Sequence, residues 1–216
     1  LAQLFHEAAN SLAKAVLIGA AVLILAAAGI YELLDRSPYV DEKRVVREQP
    51  VPFSHQHHVG ELGLDCRFCH ASVEESSFAG IPPVSTCMTC HSQLFTDGAL
   101  LEPVREAART GRPLKWIRVN DLPQFVYFDH GIHVNKGVGC ATCHGPVDKM
   151  PLTWRENSLE MRWCLSCHRH PESFVRPRED VFAMNYRAPA GQAALGRRLV
   201  RDYRIQKLTD CAACHR

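Results

Sequence analysis

Ten cysteines and five of the twelve histidines in this 216-residue chain fall into one pattern. It reads C-x-x-C-H at Cys66, Cys69 and His70, and again at Cys87, Cys90 and His91. It recurs at Cys140, Cys143 and His144, at Cys164, Cys167 and His168, and at Cys211, Cys214 and His215. Two thiols three residues apart can form thioethers with the two vinyl groups of one haem. The histidine after the second thiol is then held against the iron as its proximal ligand. Structural zinc pairs C-x-x-C with a second pair or with spaced histidines and needs no histidine after every second cysteine. A disulfide framework has no use for that histidine either. The pattern predicts one-electron chemistry on five c-type haems.

A six-coordinate iron needs a ligand on its other face, and seven histidines stand outside the motifs. An internal repeat selects four of them. Phe53-Ser54-His55-Gln56-His57-His58-Val59 precedes the first attachment site, and Phe128-Asp129-His130-Gly131-Ile132-His133-Val134 precedes the third. Both read F-x-H-x-x-H-V. Histidines at i and i+3 on a helical turn point to one side, where each can meet a different haem. His55, His58, His130 and His133 are the expected distal ligands. The spacing does not say which distal histidine meets which haem. By analogy with a dihaem turn, His55 and His130 would serve the haems on His70 and His144, and His58 and His133 would each reach a neighbouring haem, such as those on His91 and His168. The alternative is a solvated polar turn, which does not explain the repetition. His57 has Ile132 as its counterpart and reads as a propionate or surface contact. His170 follows His168 too closely to reach past its own haem and reads as surface. His6 precedes the apolar N-terminal run.

Four distal histidines leave one haem short, and methionine can fill such a position. Met88 lies inside an attachment loop. Met150 aligns in the repeat with Ile81 and reads as packing. Met161 is three residues before Cys164. Met184 stands in the long segment between the fourth and fifth sites and is the expected ligand for the His215 haem, although the last assignments can be exchanged. The alternative for Met184 is an adaptable core methionine.

These sites need elements to hold them. From Ala15 to Leu34 only Glu32 is charged. Twenty helical residues at 1.5 Å each span about 30 Å, the thickness of a bilayer's hydrocarbon core. An uncleaved membrane anchor is expected; a signal peptide, with small residues at Ala26–Gly29, is the alternative. The flanking charges, Lys14 before the run and Arg36, Lys43 and Arg44 after it, run against the positive-inside trend, but haem attachment requires the following region to lie outside the cytoplasm. The expected organisation is a membrane segment over 1–35, a proline-bearing tether over 36–52, dihaem units over 53–127 and 128–170, and a C-terminal segment over 171–216 with the fifth haem. Short helices are expected at Leu100–Thr110 and Ala193–Tyr203. Roughly 33 residues per haem from Phe53 onward are too few for a separate protein core, so the fold class is mainly α and irregular, with the haems as core and one N-terminal transmembrane helix.

The formal charge is +2. Five ferric haems with ionised propionates would bring the holoprotein to on the order of −3. That gives no support to a nucleic-acid partner. No nucleophile triad or phosphate-cradling loop is visible, so no catalytic residue is assigned. Electron transfer is the leading reading. A multihaem reductase with one open iron and a stand-alone membrane-tethered shuttle are the alternatives. Small residues on the apolar helix (Gly19, Ala20, Ala27, Ala28, Gly29) suit packing against other membrane helices.

The F-x-H-x-x-H-V turns with C-x-x-C-H resemble the cytochrome c7 and class III cytochrome c families. The longer text is narrower. FSHQHHVGELGLDCRFCH, IPPVSTCMTCH, LPQFVYFDHGIHVNKGVGCATCHGPVDKMP, MRWCLSCHRHPESFVRP and TDCAACHR resemble the pentahaem cytochrome c subunit of alternative complex III, from about Phe53 to Arg216. The resemblance implies a periplasmic subunit of a membrane complex that oxidises quinol and passes electrons to a periplasmic acceptor such as cytochrome c or a terminal oxidase. Iron–sulfur, integral membrane and monohaem cytochrome c subunits are the implied partners. The quinol site is expected on one of those partners, since the only charge in this chain's apolar run is Glu32 near its end.

Overall fold

A computed structural model describes residues 6–215, which divide into two units, residues up to Glu42 and residues from Lys43 onward. The first unit is one helix, Ala9–Asp35, followed by the short turn Pro38–Asp41. The helix contains the whole expected apolar run and overshoots it at both ends. It is the one helix among the described residues long and apolar enough to cross a membrane. Its C-terminal turn closes with the Glu32–Arg36 ion pair.

The second unit has no extended sheet among the described residues; strand-like pairing is limited to isolated bridges such as Val138 with Val175. Its helices are short because each is built around an attachment motif: Cys66–Cys69, Val84–His91, Cys140–His144, Met161–Arg169 and Cys211–Cys214. One helical turn brings residues i and i+3 to the same side, so each cysteine pair shares a face. Two further helices, Glu102–Thr110 and Gln192–Asp202, lie within one or two residues of those expected. The protein core is small. Val73, Val134 and Val181 form one cluster with Ala79, Cys140 and Phe182 around it. Met150 is fully buried, in line with its reading as packing.

The two histidine turns differ. His130–Asn135 is α-helical, with Asp129 accepting a hydrogen bond from the Ile132 amide at its start. Gln56–Glu61 is π-helical, and the Leu62 amide reaches back five residues to the His57 carbonyl at 3.0 Å. The first repeat carries one more residue than the second between its last turn histidine and its attachment cysteine (His58 to Cys66 against His133 to Cys140). The wider π turn absorbs that residue, a recurrent use of π-bulges at functional sites.

The repeats interlock. The loop after the third site bonds to the first histidine turn: the Gln56 amide donates to Met150 O at 3.0 Å, and Thr153 Oγ1 meets His55 Nδ1 at 2.9 Å. Reciprocally, the loop after the first site bonds to the second turn. Gly131 N donates to Ser76 O, and Asn135 Nδ2 donates to Glu74 O at 2.7 Å. A glycine stands at each crossing. A Cβ on Gly131 would lie 3.0 Å from Glu74 O, and one on Gly60 would overlap the Asp148 carbonyl. Backbone cannot swing aside as a side chain can. Gly60→Ala is therefore expected to cost about 1–3 kcal/mol and to lower the melting temperature by several degrees in calorimetry; an unchanged melt would contradict the crossing.

Candidate haem-binding site

The imidazole rings fall into pairs. His58 and His91 have centroids 6.2 Å apart, His130 and His144 6.3 Å, and His133 and His168 6.1 Å. In each pair one ring comes from a histidine turn and the other from an attachment motif. An iron between two trans imidazoles, bonded at roughly 2 Å to each, sets their centroids about 6.2 Å apart. The fourth turn ring, His55, has His70, His58 and His144 as neighbours. The ring planes differ from pair to pair. His130 and His144 are coplanar within 2°, whereas His58/His91 and His133/His168 cross at 62° and 70°.

Hydrogen bonds fix which ring nitrogen faces the partner ring. The Nδ1 atoms of His58 and His133 lie 2.8 and 2.6 Å from the carbonyls of Ser54 and Asp129, one turn back. His70 Nδ1 lies 2.6 Å from Gly80 O, and His130 Nδ1 2.9 Å from Ser77 O. His91 and His215 repeat the arrangement at 3.3 and 3.2 Å on Leu94 O and Phe125 O. A carbonyl can only accept, so Nδ1 carries the proton and Nε2 keeps its lone pair, as iron ligation requires. Burial first, then the neighbouring His70, His58 and His144 rings, hold the pKa of His55 down at about 4. Burial, with His130 and His70 beside it, does the same for His144. These rings are neutral at neutral pH, the form a metal binds.

Each histidine turn opens with a phenylalanine that grips both of its rings. Phe53 stacks on His58 at 4.5 Å and 25° and stands edge-on to His55 at 4.9 Å and 88°. Phe128 stacks on His133 at 4.5 Å and 26° and meets His130 at 4.7 Å and 90°. The ring planes are thus held by packing as well as by hydrogen bonds.

None of the ten cysteines is in a disulfide. Among the described residues no group of three or more Cys, His, Asp or Glu converges on a point where one metal ion would sit. Neighbouring sites meet through their cysteines. Cys66 of the first site lies beside Cys140 of the third. Cys69 of the first has Cys87 of the second as a neighbour, Cys143 of the third has Cys164 and Cys167 of the fourth, and Cys164 of the fourth has Cys214 of the fifth.

The fifth site rests on the segment before the second histidine turn. His215 lies over Phe125 at 5.8 Å, and the Tyr127 amide donates to Cys214 O at 2.8 Å. Met184 is half-buried, in a stretch whose neighbours Val181 and Ala183 accept hydrogen bonds from Cys140 N and Arg176 Nη1. Met161 is 67% exposed. His57 bonds to Glu61 at 2.8 Å, and His170 is an exposed ring 3.6 Å from Glu172. His6 is exposed in the first unit. Sequence reasoning missed Phe53 and Phe128 as ring supports, Thr153 as a partner of His55, and Arg176 beneath the third site. The repeated F in F-x-H-x-x-H-V was the available signal for the first two.

Residues 126–216 match the family of cytochrome c7 and related cytochromes c, and residues 33–107 match the class III cytochrome c family. The multihaem cytochrome c subunit of the menaquinone reductase of Nitratidesulfovibrio vulgaris (strain Hildenborough) is 34% identical, over 56% of this chain and 68% of its own length. This chain belongs to the multihaem cytochrome c family. As such a cytochrome it carries c-type haem and works by electron transfer. The geometry fits that cofactor, with cysteine pairs on single helical turns and imidazole pairs at the spacing two axial ligands require.

Proposed function

We propose that this cytochrome carries five haems in single file and conducts electrons between a membrane quinone site on partner subunits and a periplasmic redox protein. The observation that carries the reading is the set of imidazole pairs at 6.1–6.3 Å, each joining a turn histidine to an attachment histidine. The ligand pairs are His55 with His70, His58 with His91, His130 with His144 and His133 with His168. Met184 is the candidate for the His215 haem. Haem held by these residues would supply one-electron redox chemistry. The residues attach it, supply its axial nitrogens and hold those rings in fixed planes. An iron with two axial side chains offers substrate no open position, which favours conduction over haem catalysis.

The Ala9–Asp35 helix anchors the chain in the cytoplasmic membrane, with the haem region on the periplasmic side. Its length supports this, since 27 residues span about 40 Å. In the first reading the complex is of the alternative complex III kind, oxidising quinol and delivering electrons to a cytochrome c or oxidase. A second reading runs the other way, from a periplasmic donor to menaquinone, and is favoured by the Nitratidesulfovibrio relative, a subunit of a menaquinone reductase. Both place quinone chemistry on partner subunits. The purified chain alone is expected to leave menaquinol and ubiquinol unoxidised, whereas membranes containing its partners reduce its haems from quinol or oxidise them with quinone. Stopped-flow spectroscopy of the haem bands reads both. Rapid reduction of the isolated chain by quinol would overturn this division of labour.

A further inference from the structure

Arg176 is buried, with 8% of its surface exposed, and is packed against the third attachment site. Its Nη2 donates to Thr142 Oγ1 at 3.2 Å, inside the Cys140–Cys143 loop, and its Nη1 donates to Ala183 O at 3.3 Å. The guanidinium lies 4.2 Å from the centroid of the Tyr186 ring. Its backbone is fixed too, since the Arg176 amide donates to Gly137 O at 2.8 Å. Gly139, directly before Cys140, has no side chain because the guanidinium occupies that space: a Cβ there would overlap Cζ and Nε. The Nε atom is buried without a hydrogen-bond partner. No carboxylate lies within ion-pair distance among the described residues; Tyr186, Cys140 and Asp180 are the groups that weigh on its charge.

Arginine cannot shed its proton in a protein, so burial here leaves a fixed positive charge. A buried charge is tolerated where something nearby compensates it. A ferric haem carries one more positive charge than a ferrous haem, so a fixed cation beside it disfavours the oxidised state. We propose that Arg176 is a positioning charge for the third site, one that raises the reduction potential of the haem held by Cys140, Cys143, His144 and His130. This inference rests on the proposed ligand pairs. It lowers the energy of an electron resting on the third-site haem relative to the same haem without the charge.

The test is a potentiometric titration of the holoprotein, followed by low-temperature electron paramagnetic resonance. The coplanar His130/His144 pair gives its haem a rhombic low-spin signal, distinct from the strongly anisotropic signals of the two crossed pairs. Arg176→Gln keeps a donor for Thr142 and removes the charge. It is expected to lower the midpoint of that haem by about tenfold in its oxidised-to-reduced ratio, or roughly 59 mV for one electron. Arg176→Lys, which keeps the charge, is expected to restore most of the shift. Ala183→Asp leaves the arginine in place and sets a carboxylate beside it; it is expected to lower the same midpoint and serves if Arg176→Gln does not accumulate. An unchanged midpoint in whichever neutralising variant accumulates, or an equal shift of every haem, would overturn the proposal. A wild-type spectrum without the rhombic signal would instead count against the ligand pairs.

Discussion

Replacing His133 by alanine is expected to open one iron, that of the haem on His168, to external ligands. The His133 ring sits 6.1 Å from His168 with its Nδ1 held by Asp129 O, so Nε2 is the atom aimed at its partner. Alanine supplies no donor, and the α-helical turn His130–Asn135 has backbone bonds of its own to survive the change. The variant should show a high-spin ferric signal and bind one carbon monoxide per chain when reduced, where the unsubstituted protein binds none at that site. His133→Met should keep the iron six-coordinate and raise its potential, because thioether sulfur favours the ferrous state relative to imidazole. Optical titration with carbon monoxide separates the cases. A His133→Ala protein that remains fully low-spin and binds no carbon monoxide would show that another residue serves His168.

The second large effect concerns which attachment site holds the fold together. Removing the central one, by Cys140→Ser with Cys143→Ser, is expected to abolish accumulation of the holoprotein. Cys140 packs on the cluster of Val73, Val134 and Val181, its amide bonds to Val181 O, and its thiol meets Cys66 of the first site. The other buried apolar residues described, among them Val104, Met150, Val175 and Leu199, lie outside that cluster. A haem that buries roughly 400 Å² of apolar surface contributes about 10 kcal/mol at 25 cal/mol per Å². That is comparable with the whole stability of a domain, about 5–15 kcal/mol. The same pair of changes at Cys211 and Cys214 removes a site at the end of the file, supported mainly by Phe125 and Tyr127. It should leave a folded protein with one haem fewer. Haem staining and the pyridine haemochrome ratio of haem to protein read both variants. A central variant that accumulates with an unaltered melt would contradict this ranking.

Much of this was legible because the chemistry is written in side chains. The cysteine spacing predicts five attachment sites, and the structure sets each on a short helix that the spacing alone did not announce. The F-x-H-x-x-H-V repeat predicts that two turns carry paired imidazoles, and the rings of His58, His130 and His133 do lie opposite those of His91, His144 and His168. The apolar run predicts one long helix. What was not legible depends on backbone. The carbonyls of Gly80 and Ser77 that fix His70 and His130 have no side-chain signature. The extra residue before Cys66 is visible once the two repeats are aligned, yet nothing in the side chains there announces a π turn. Tandem repeats also leave open whether the units stand apart or interlock. The glycines at 60 and 131 mark the crossings, but glycine has many uses, and its role became clear only from the carbonyls above it. Arg176 escaped notice because a lone arginine far from any motif reads as surface until its burial is known.

The imidazole pairs are the centre of this description, and the electron paramagnetic resonance spectrum of the fully oxidised protein tests them most directly. Coplanar axial rings split the two iron orbitals that overlap with them, and crossed rings leave those orbitals nearly equal in energy. With His130 and His144 at 2° and the other two measured pairs at 62° and 70°, the expected spectrum contains a rhombic low-spin signal together with strongly anisotropic low-spin signals. A spectrum in which high-spin ferric iron accounts for two or more haems per chain would contradict the paired ligation.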